Sequence, residues 1–193
     1  RAHALEHPIV IDPVGVSGSS YRREKCLELM KIIHPTCIRG NYSEIQALLH
    51  NCGTVTGVDA AEDALAEAEE TDLPELMKQY AKENQMILVA SGETDLITDG
   101  SCVYQCHNGS PMMARITGSG CMSTVMLGAF LSAENSVESA VACCAFTGIV
   151  GELAAKETTA QKRGTMTFRN WFIDAVSLMT PEQLEHGTNV DWF

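Results

Sequence analysis

Along the first half of the chain, short apolar blocks alternate with amphipathic stretches. Residues 8–12 (PIVID), 36–39 (TCIR) and 86–90 (MILVA) are β-branched or apolar runs, each stopped by a polar turn. A continuous apolar run of that length predicts a strand covered on both faces, as in a parallel sheet. Between these runs the period changes to that of a helix. Cys26, Met30 and Ile33 share one face after the cap-bearing loop 17–20. Ile45, Leu48 and Leu49 follow Ser43, which reads as a helix cap. Residues 55–58 give a weak strand or loop signal, and residues 60–70 and 74–84 read as acidic helical segments.

The pattern then shortens. Residues 95–98, 101–107 and 111–116 are separated by Asp99-Gly100 and Asn108-Gly109. These are hairpin turn pairs, so a meander is expected here. Gly118-Ser119-Gly120 opens a long apolar helix to about residue 133. The next helix, about 137–156, is apolar nearly all round and is expected to be buried. A third, near 167–179, places Phe168, Phe172, Val176 and Met179 on one side, and Thr180-Pro181 starts a last one with proline at its first position. Strands and helices in this order predict an α/β fold: one three-layer α/β/α domain over residues 1–193, built on a mainly parallel central sheet.

Composition narrows the function classes. With 45% apolar and 20% charged residues, the chain can bury a sizeable core. A net charge of −12 repels phosphate backbones, which argues against nucleic acid as a partner but leaves room for one small anion held by local donors. No apolar run is read as long enough to cross a bilayer, so no membrane partner is expected. The eight cysteines contain no CxxC pair and several sit in apolar runs, which reads as buried thiols in a reducing cytoplasm. Cys102, Cys106 and His107 match no zinc spacing. The six histidines make no evident triad with serine and aspartate. A central strand so soon after Arg1 suggests that an amino-terminal part of the domain is absent from this chain.

Four polar clusters fall at strand ends or at a helix start, where open α/β sheets bind ligands. They are Asp12-Pro13-Val14-Gly15, residues 39–44 (RGNYSE), residues 91–95 (SGETD) and Gly118-Ser119-Gly120-Cys121. The last is the sharpest. Its glycines allow a tight turn, and the amides of the following helix would face an oxyanion or a transferred phosphoryl group. Thr117 adds a donor. Cys121, in the first helical turn, is either a ligand-facing thiol or a packed cap residue. Asp12 and Glu44 offer carboxylate oxygens of the kind Mg²⁺ accepts, with Asn41 beside them. Turn and cap chemistry competes with that role for all three. Arg39 carries a planar fork suited to phosphate, or pairs with Glu44. Ser91 donates to a phosphate or satisfies the strand end.

Taken together, IDPVGVSGSSYR, IRGNYSEI, GVDA, SGETDLITDG, NGSPMM, ITGSGCMST and LMTPEQL resemble, in the same order, the hydroxyethylthiazole kinase family of the ribokinase-like superfamily. The resemblance runs from about residue 8 to the end. It implies a ribokinase-like fold, a homotrimer with sites between subunits, and transfer of the ATP γ-phosphate to the hydroxyl of 4-methyl-5-(2-hydroxyethyl)thiazole in thiamine salvage. It also implies ATP-binding positions at Arg39 and Ser91, a substrate-binding position at Gly118, and an anion hole at Ser119 and Gly120. Asp12, Asn41 and Glu44 fall in its region for Mg²⁺ and phosphate. Cys121 stands where related sugar kinases carry an aspartate base, which makes it the catalytic candidate. A pyrimidine or pyridoxal kinase of the same superfamily, or an inactive nucleotide-binding subunit, is the alternative.

Overall fold

The computed structural model describes residues 1–50 and 73–193. The weak strand expected at 55–58 and the acidic helix at 60–70 lie outside them. The described elements run β1 (Val10–Ile11), α1 (Ser20–Ile33), β2 (Cys37–Asn41), α2 (Tyr42–Leu49), α3 (Leu73–Asn84), β3 (Ile87–Ser91), β4 (Asp95–Thr98), β5 (Val103–Cys106), α4 (Ser119–Ala133), α5 (Val137–Ala160), α6 (Thr165–Leu178), α7 (Pro181–Gly187) and β6 (Val190–Trp192). The strands form one sheet in the order β1-β2-β3-β4-β5-β6.

The first three strands are parallel, and the pairings β3-β4, β4-β5 and β5-β6 are antiparallel. The sheet is therefore mixed, and the expectation of a mainly parallel sheet holds only for its first half. The expected meander is present, but its third strand is not residues 111–116. Those residues carry a short 3-10 turn at Met113–Arg115, and the carboxy-terminal β6 takes the place beside β5. The three residues of β6, Val190–Trp192, are too short to register as a strand in the hydropathy pattern.

Alternation along β3 shows why its apolar run is unbroken. Leu88 and Ala90 pack with α1, α2 and α3, on a face shared with Ile38, Met77 and Leu96. Ile87 and Val89 point the other way, to α4 and α5, with Ile97, Leu127 and Val137. Each face supplies one core, which gives the three-layer arrangement. A further cluster, around the fully buried Phe168 and Phe172, joins α6 to α5.

By length and composition, α5 is long and apolar enough to cross a membrane (24 residues), contrary to the expectation from sequence. Small residues hide that surface inside the domain instead. Ala140, Ala145, Gly148, Gly151 and Ala154 are all buried. A Cβ on Gly148 would stand 2.5 Å from the backbone of Asn108, so glycine is what lets the loop after β5 reach the helix. Asn108 exploits this closeness. Its amide group donates to Glu152 Oε1 (3.1 Å) and the Gly187 carbonyl (2.9 Å), and its Oδ1 accepts from Asn189 N–H (2.8 Å). One buried side chain thus joins β5, α5, α7 and the approach to β6. Replacing it with alanine removes these three hydrogen bonds, at roughly 0.5–1.5 kcal/mol each. Asn108→Ala is expected to lower unfolding stability by about 2–4 kcal/mol, with a urea midpoint shift as the readout.

Candidate phosphoryl-transfer site

Parallel pairing puts the ends of β1, β2 and β3 at one edge of the sheet. Asn41 stands beside Ser91 in register, and Ile11, just before Asp12, stands beside Ile38. The start of α4 meets this edge. Gly118 caps the helix at φ 95°, a left-handed conformation that glycine enters without steric cost. Ser119, Gly120 and Cys121 supply the first amides of the helix, which have no carbonyl a turn below them and carry the positive end of the helix dipole. The turn is braced from beneath, where Ser119 Oγ donates to the carbonyl of Met113 at 2.9 Å.

Arg39 crosses from β2 to this helix. Its Nη1 donates to the Gly120 carbonyl at 2.9 Å. A Cβ on Gly120 would sit only 3.2 Å from that nitrogen, so the glycine also admits the arginine. Arg39 forms no ion pair with Glu44. Both Glu44 oxygens are engaged by backbone: Oε1 accepts from Gly15 N–H (2.8 Å) and Oε2 from Asn41 N–H (3.0 Å). Asn41 Oδ1 accepts from Glu44 N–H in return (2.9 Å). This is a capping box, with Asn41 as the cap of α2 in place of Ser43. Asp12 Oδ2 accepts from Thr124 Oγ of α4 at 2.8 Å.

Arg39, Ser91, Ser119 and Gly120 line one cavity of about 740 Å³. Ser91 spends its proton on the Gly40 carbonyl at 3.2 Å. Gly118 and Cys121 are exposed beside the cavity, while Asp12, Asn41 and Glu44 form a second group at the strand ends. A larger space, about 860 Å³, lies at the amino ends of the parallel strands by Thr36 and Met86 and contains none of these residues.

The cavity also contains residues that sequence reasoning did not single out. Asp95 starts β4 and accepts from Gly92 N–H at 3.0 Å. Burial raises its carboxyl to about 6, against the opposing pull of that N–H and of Arg39. Its signal in the sequence was weak, since an aspartate four residues past a strand end reads as turn chemistry. The thiols of Cys143 and Cys144 form part of the apolar wall, and burial raises both well above the ordinary cysteine range. At the rim, His107 bridges Thr94 Oγ1 and Asp191 Oδ2, each at 3.2 Å. A hydroxyl, an imidazole and a carboxylate are therefore in line after all. They tie β6 to the β3-β4 turn, whose Thr94 carbonyl also accepts from Tyr42 Oη.

Among the described residues, no group of three or more His, Cys, Asp or Glu side chains is arranged to hold a metal. The oxygen donors that are present suit a different arrangement. Mg²⁺ commonly takes one or two carboxylates and completes its shell with waters and substrate phosphates. Of the strand-end carboxylates Asp12 and Glu44, Asp12 keeps one oxygen, Oδ1, that is given to no backbone or hydroxyl donor among the described residues.

The family model for the hydroxyethylthiazole kinase family matches residues 1–182. A protein of Clostridium acetobutylicum named hydroxyethylthiazole kinase is 35% identical, over 98% of this chain and 70% of its own length. One from Methanosphaera stadtmanae, named hydroxyethylthiazole kinase 1, is 38% identical over 88% of this chain and 62% of its own. The solved structure of hydroxyethylthiazole kinase from Pyrococcus horikoshii superposes with a TM-score of 0.79 at 24% identity, covering 100% of this chain and 68% of that one. The chain thus spans roughly two thirds of the proteins it matches, with the same fold as the solved one. The family match covers the segments that carry the helix start, the crossing arginine and the strand-end carboxylates, and the chain is a member of the hydroxyethylthiazole kinase family.

Proposed function

We propose that this chain catalyses transfer of the γ-phosphate of ATP to the hydroxyl of 4-methyl-5-(2-hydroxyethyl)thiazole, with Mg²⁺, and works as a homotrimer. The observation that carries this reading is the meeting of Arg39 with the uncapped first turn of α4. An arginine and a set of free helical amides converge there on one wall of a cavity. Phosphoryl transfer needs little covalent help from a protein, since positioning and charge stabilisation supply most of the rate. In this reading the amides of Ser119, Gly120 and Cys121 hold the moving phosphoryl group. The donors of Arg39 not used on Gly120 hold other phosphate oxygens, and the hydroxyl of Ser91 joins them by turning its proton from the Gly40 carbonyl to the nucleotide. Gly118 lies against the thiazole.

Asp12 is the direct carboxylate for Mg²⁺ in this scheme. Glu44 and Asn41 act at one remove, by fixing the Gly15 turn and the start of α2. A bound Mg²⁺ would neutralise charge on the phosphates. Cys121, in the first turn of the helix, takes the proton of the attacking hydroxyl. Hydroxyethylthiazole is to be incubated with the protein, ATP and Mg²⁺ and followed by mass spectrometry, with a pyrimidine alcohol and pyridoxal as competitors. A phosphorylated thiazole as the dominant product is expected. Preferential phosphorylation of either competitor, or no product, would overturn the substrate assignment.

Two outcomes test the roles. Because proton removal contributes typically 10²–10⁴-fold in general-base catalysis and less where positioning dominates, Cys121→Ala is expected to lower kcat by about 10–100-fold with the KM for ATP unchanged. A change under threefold would exclude the base role. The second outcome concerns Asp95. Its folded carboxyl keeps its proton up to about pH 6, whereas an unfolded aspartate releases it near pH 4. The folded state therefore holds more protons across that interval, and the contribution of this group to stability falls as pH rises through it, then levels off. Asp95→Asn keeps an oxygen for Gly92 N–H and removes the buried charge. Its stability relative to wild type should grow between pH 5 and pH 8, to roughly 1–2 kcal/mol, part of the full linkage value because the carboxyl borders the cavity. Urea titrations at the two pH values measure it.

A further inference from the structure

Asp12 and the first turn of α4 are joined by the last side chain of the ITGSGCMST stretch, for which no role was read from the sequence. Thr124 lies one turn into α4, with its hydroxyl 2.8 Å from Asp12 Oδ2 and 3.2 Å from the carbonyl of Gly120. A hydroxyl in a helix ordinarily gives its proton to the carbonyl four residues back. Ser123 does so to Ser119 at 2.9 Å, and Thr147 to Cys143 at 2.8 Å. Thr124 departs from that habit. It has one proton to give, and the shorter contact, to a carboxylate, is the stronger acceptor. The Gly120 carbonyl is not abandoned by this choice, because Arg39 donates to it at 2.9 Å. Asp12 and Arg39 are thus both anchored on the start of α4, one through the Thr124 hydroxyl and the other through the Gly120 carbonyl.

We propose that Thr124 is a positioning residue for the phosphoryl-transfer site, holding the Asp12 carboxylate by Oδ2 so that Oδ1 remains for a divalent cation bound with the nucleotide. This rests on the reading of Asp12 as a metal carboxylate given above. It explains why a threonine sits at a helical position next to a strand-end aspartate, and why the bond runs across 112 residues of sequence instead of back along the helix. The strut also sets how far the carboxylate stands from the amides of Ser119, Gly120 and Cys121. A cation at Asp12 and a phosphoryl group at the helix start are thereby held in a constant relation.

The test compares Thr124→Val, which keeps the shape and removes the hydroxyl, with Thr124→Ser, which restores it. Mn²⁺ binding is titrated in the presence of ADP by electron paramagnetic resonance of the free ion, alongside kcat, KM for ATP and thermal midpoint. Partners that orient a metal ligand typically matter at the level of 10–100-fold, so T124V should weaken Mn²⁺ binding and lower kcat by roughly tenfold each. T124S should stay within about twofold of wild type, with all three midpoints alike. In an Asp12→Asn background T124V should add nothing, since both changes act on one group. Wild-type Mn²⁺ binding in T124V, an additive loss in the Asp12→Asn background, or no Mn²⁺ uptake by wild type with ADP would overturn the proposal. Failure of wild type to phosphorylate hydroxyethylthiazole would sink the substrate reading alone, because the Mn²⁺ titration does not depend on the acceptor.

Discussion

The carbonyl of Gly120 accepts one hydrogen bond on which the site depends, that of Arg39. A guanidinium placed beside the positive end of a helix is electrostatically awkward, because like charge meets like. The structure resolves this by giving the arginine a carbonyl, the negative end of a peptide dipole, within the same first turn. The amides of that turn point one way and the Gly120 carbonyl back along the helix. Arg39 can therefore approach without competing for the space in front of the amides. Two positive features are held side by side with no anion between them in the protein itself. Such a pair is stabilised most by a group that brings several negative oxygens at once, which is the physical content of a phosphate site.

The mixed sheet serves this arrangement. Parallel strands β1 to β3 bring three strand ends to one edge, where Asp12, Arg39 and Ser91 arise from separate parts of the chain. The antiparallel half makes a wall. The tight β3-β4 connection folds Asp95 back into the cavity, and the loop after β5 is pinned to α5 through Asn108 and Glu152. Gly148 and Gly151 matter here, since any Cβ would push the loop off the helix and open the cavity from the side. Packing in α5 and geometry at the site are thus one problem.

How much of this could be read from the residues alone depends on the range of the interaction. The strands 36–39 and 86–90, the last helix with its Thr180 cap and the buried character of α5 follow from local periodicity, and the structure has them. Residues Arg39, Ser91, Ser119 and Gly120 were legible because each sits at a strand end or helix start, and topology brings them to one cavity. Capping by Asn41 was legible only as an alternative, because a carboxylate three residues on serves a capping box and a metal equally well in sequence. What stayed hidden is long-range. Nothing near Val190 announces that it pairs with Cys106, and nothing near Thr124 announces Asp12. Thr94, His107 and Asp191 likewise meet only through the β4-β5-β6 pairing.

An acidic chain that binds a polyanion would be paradoxical if net charge decided the matter. It does not, because exposed charges more than about 10 Å apart are largely screened at ordinary salt while a dipole in contact is not. At the site the local balance opposes the net charge of −12. Glu44 has both oxygens tied to backbone amides, and Asp12 gives one to Thr124. Asp95, which lines the cavity, is the one that burial pushes toward its neutral form. Asp12, Glu44 and Asp95 are therefore bonded, shared or pushed toward neutrality, while Arg39 and the α4 amides keep donors to offer.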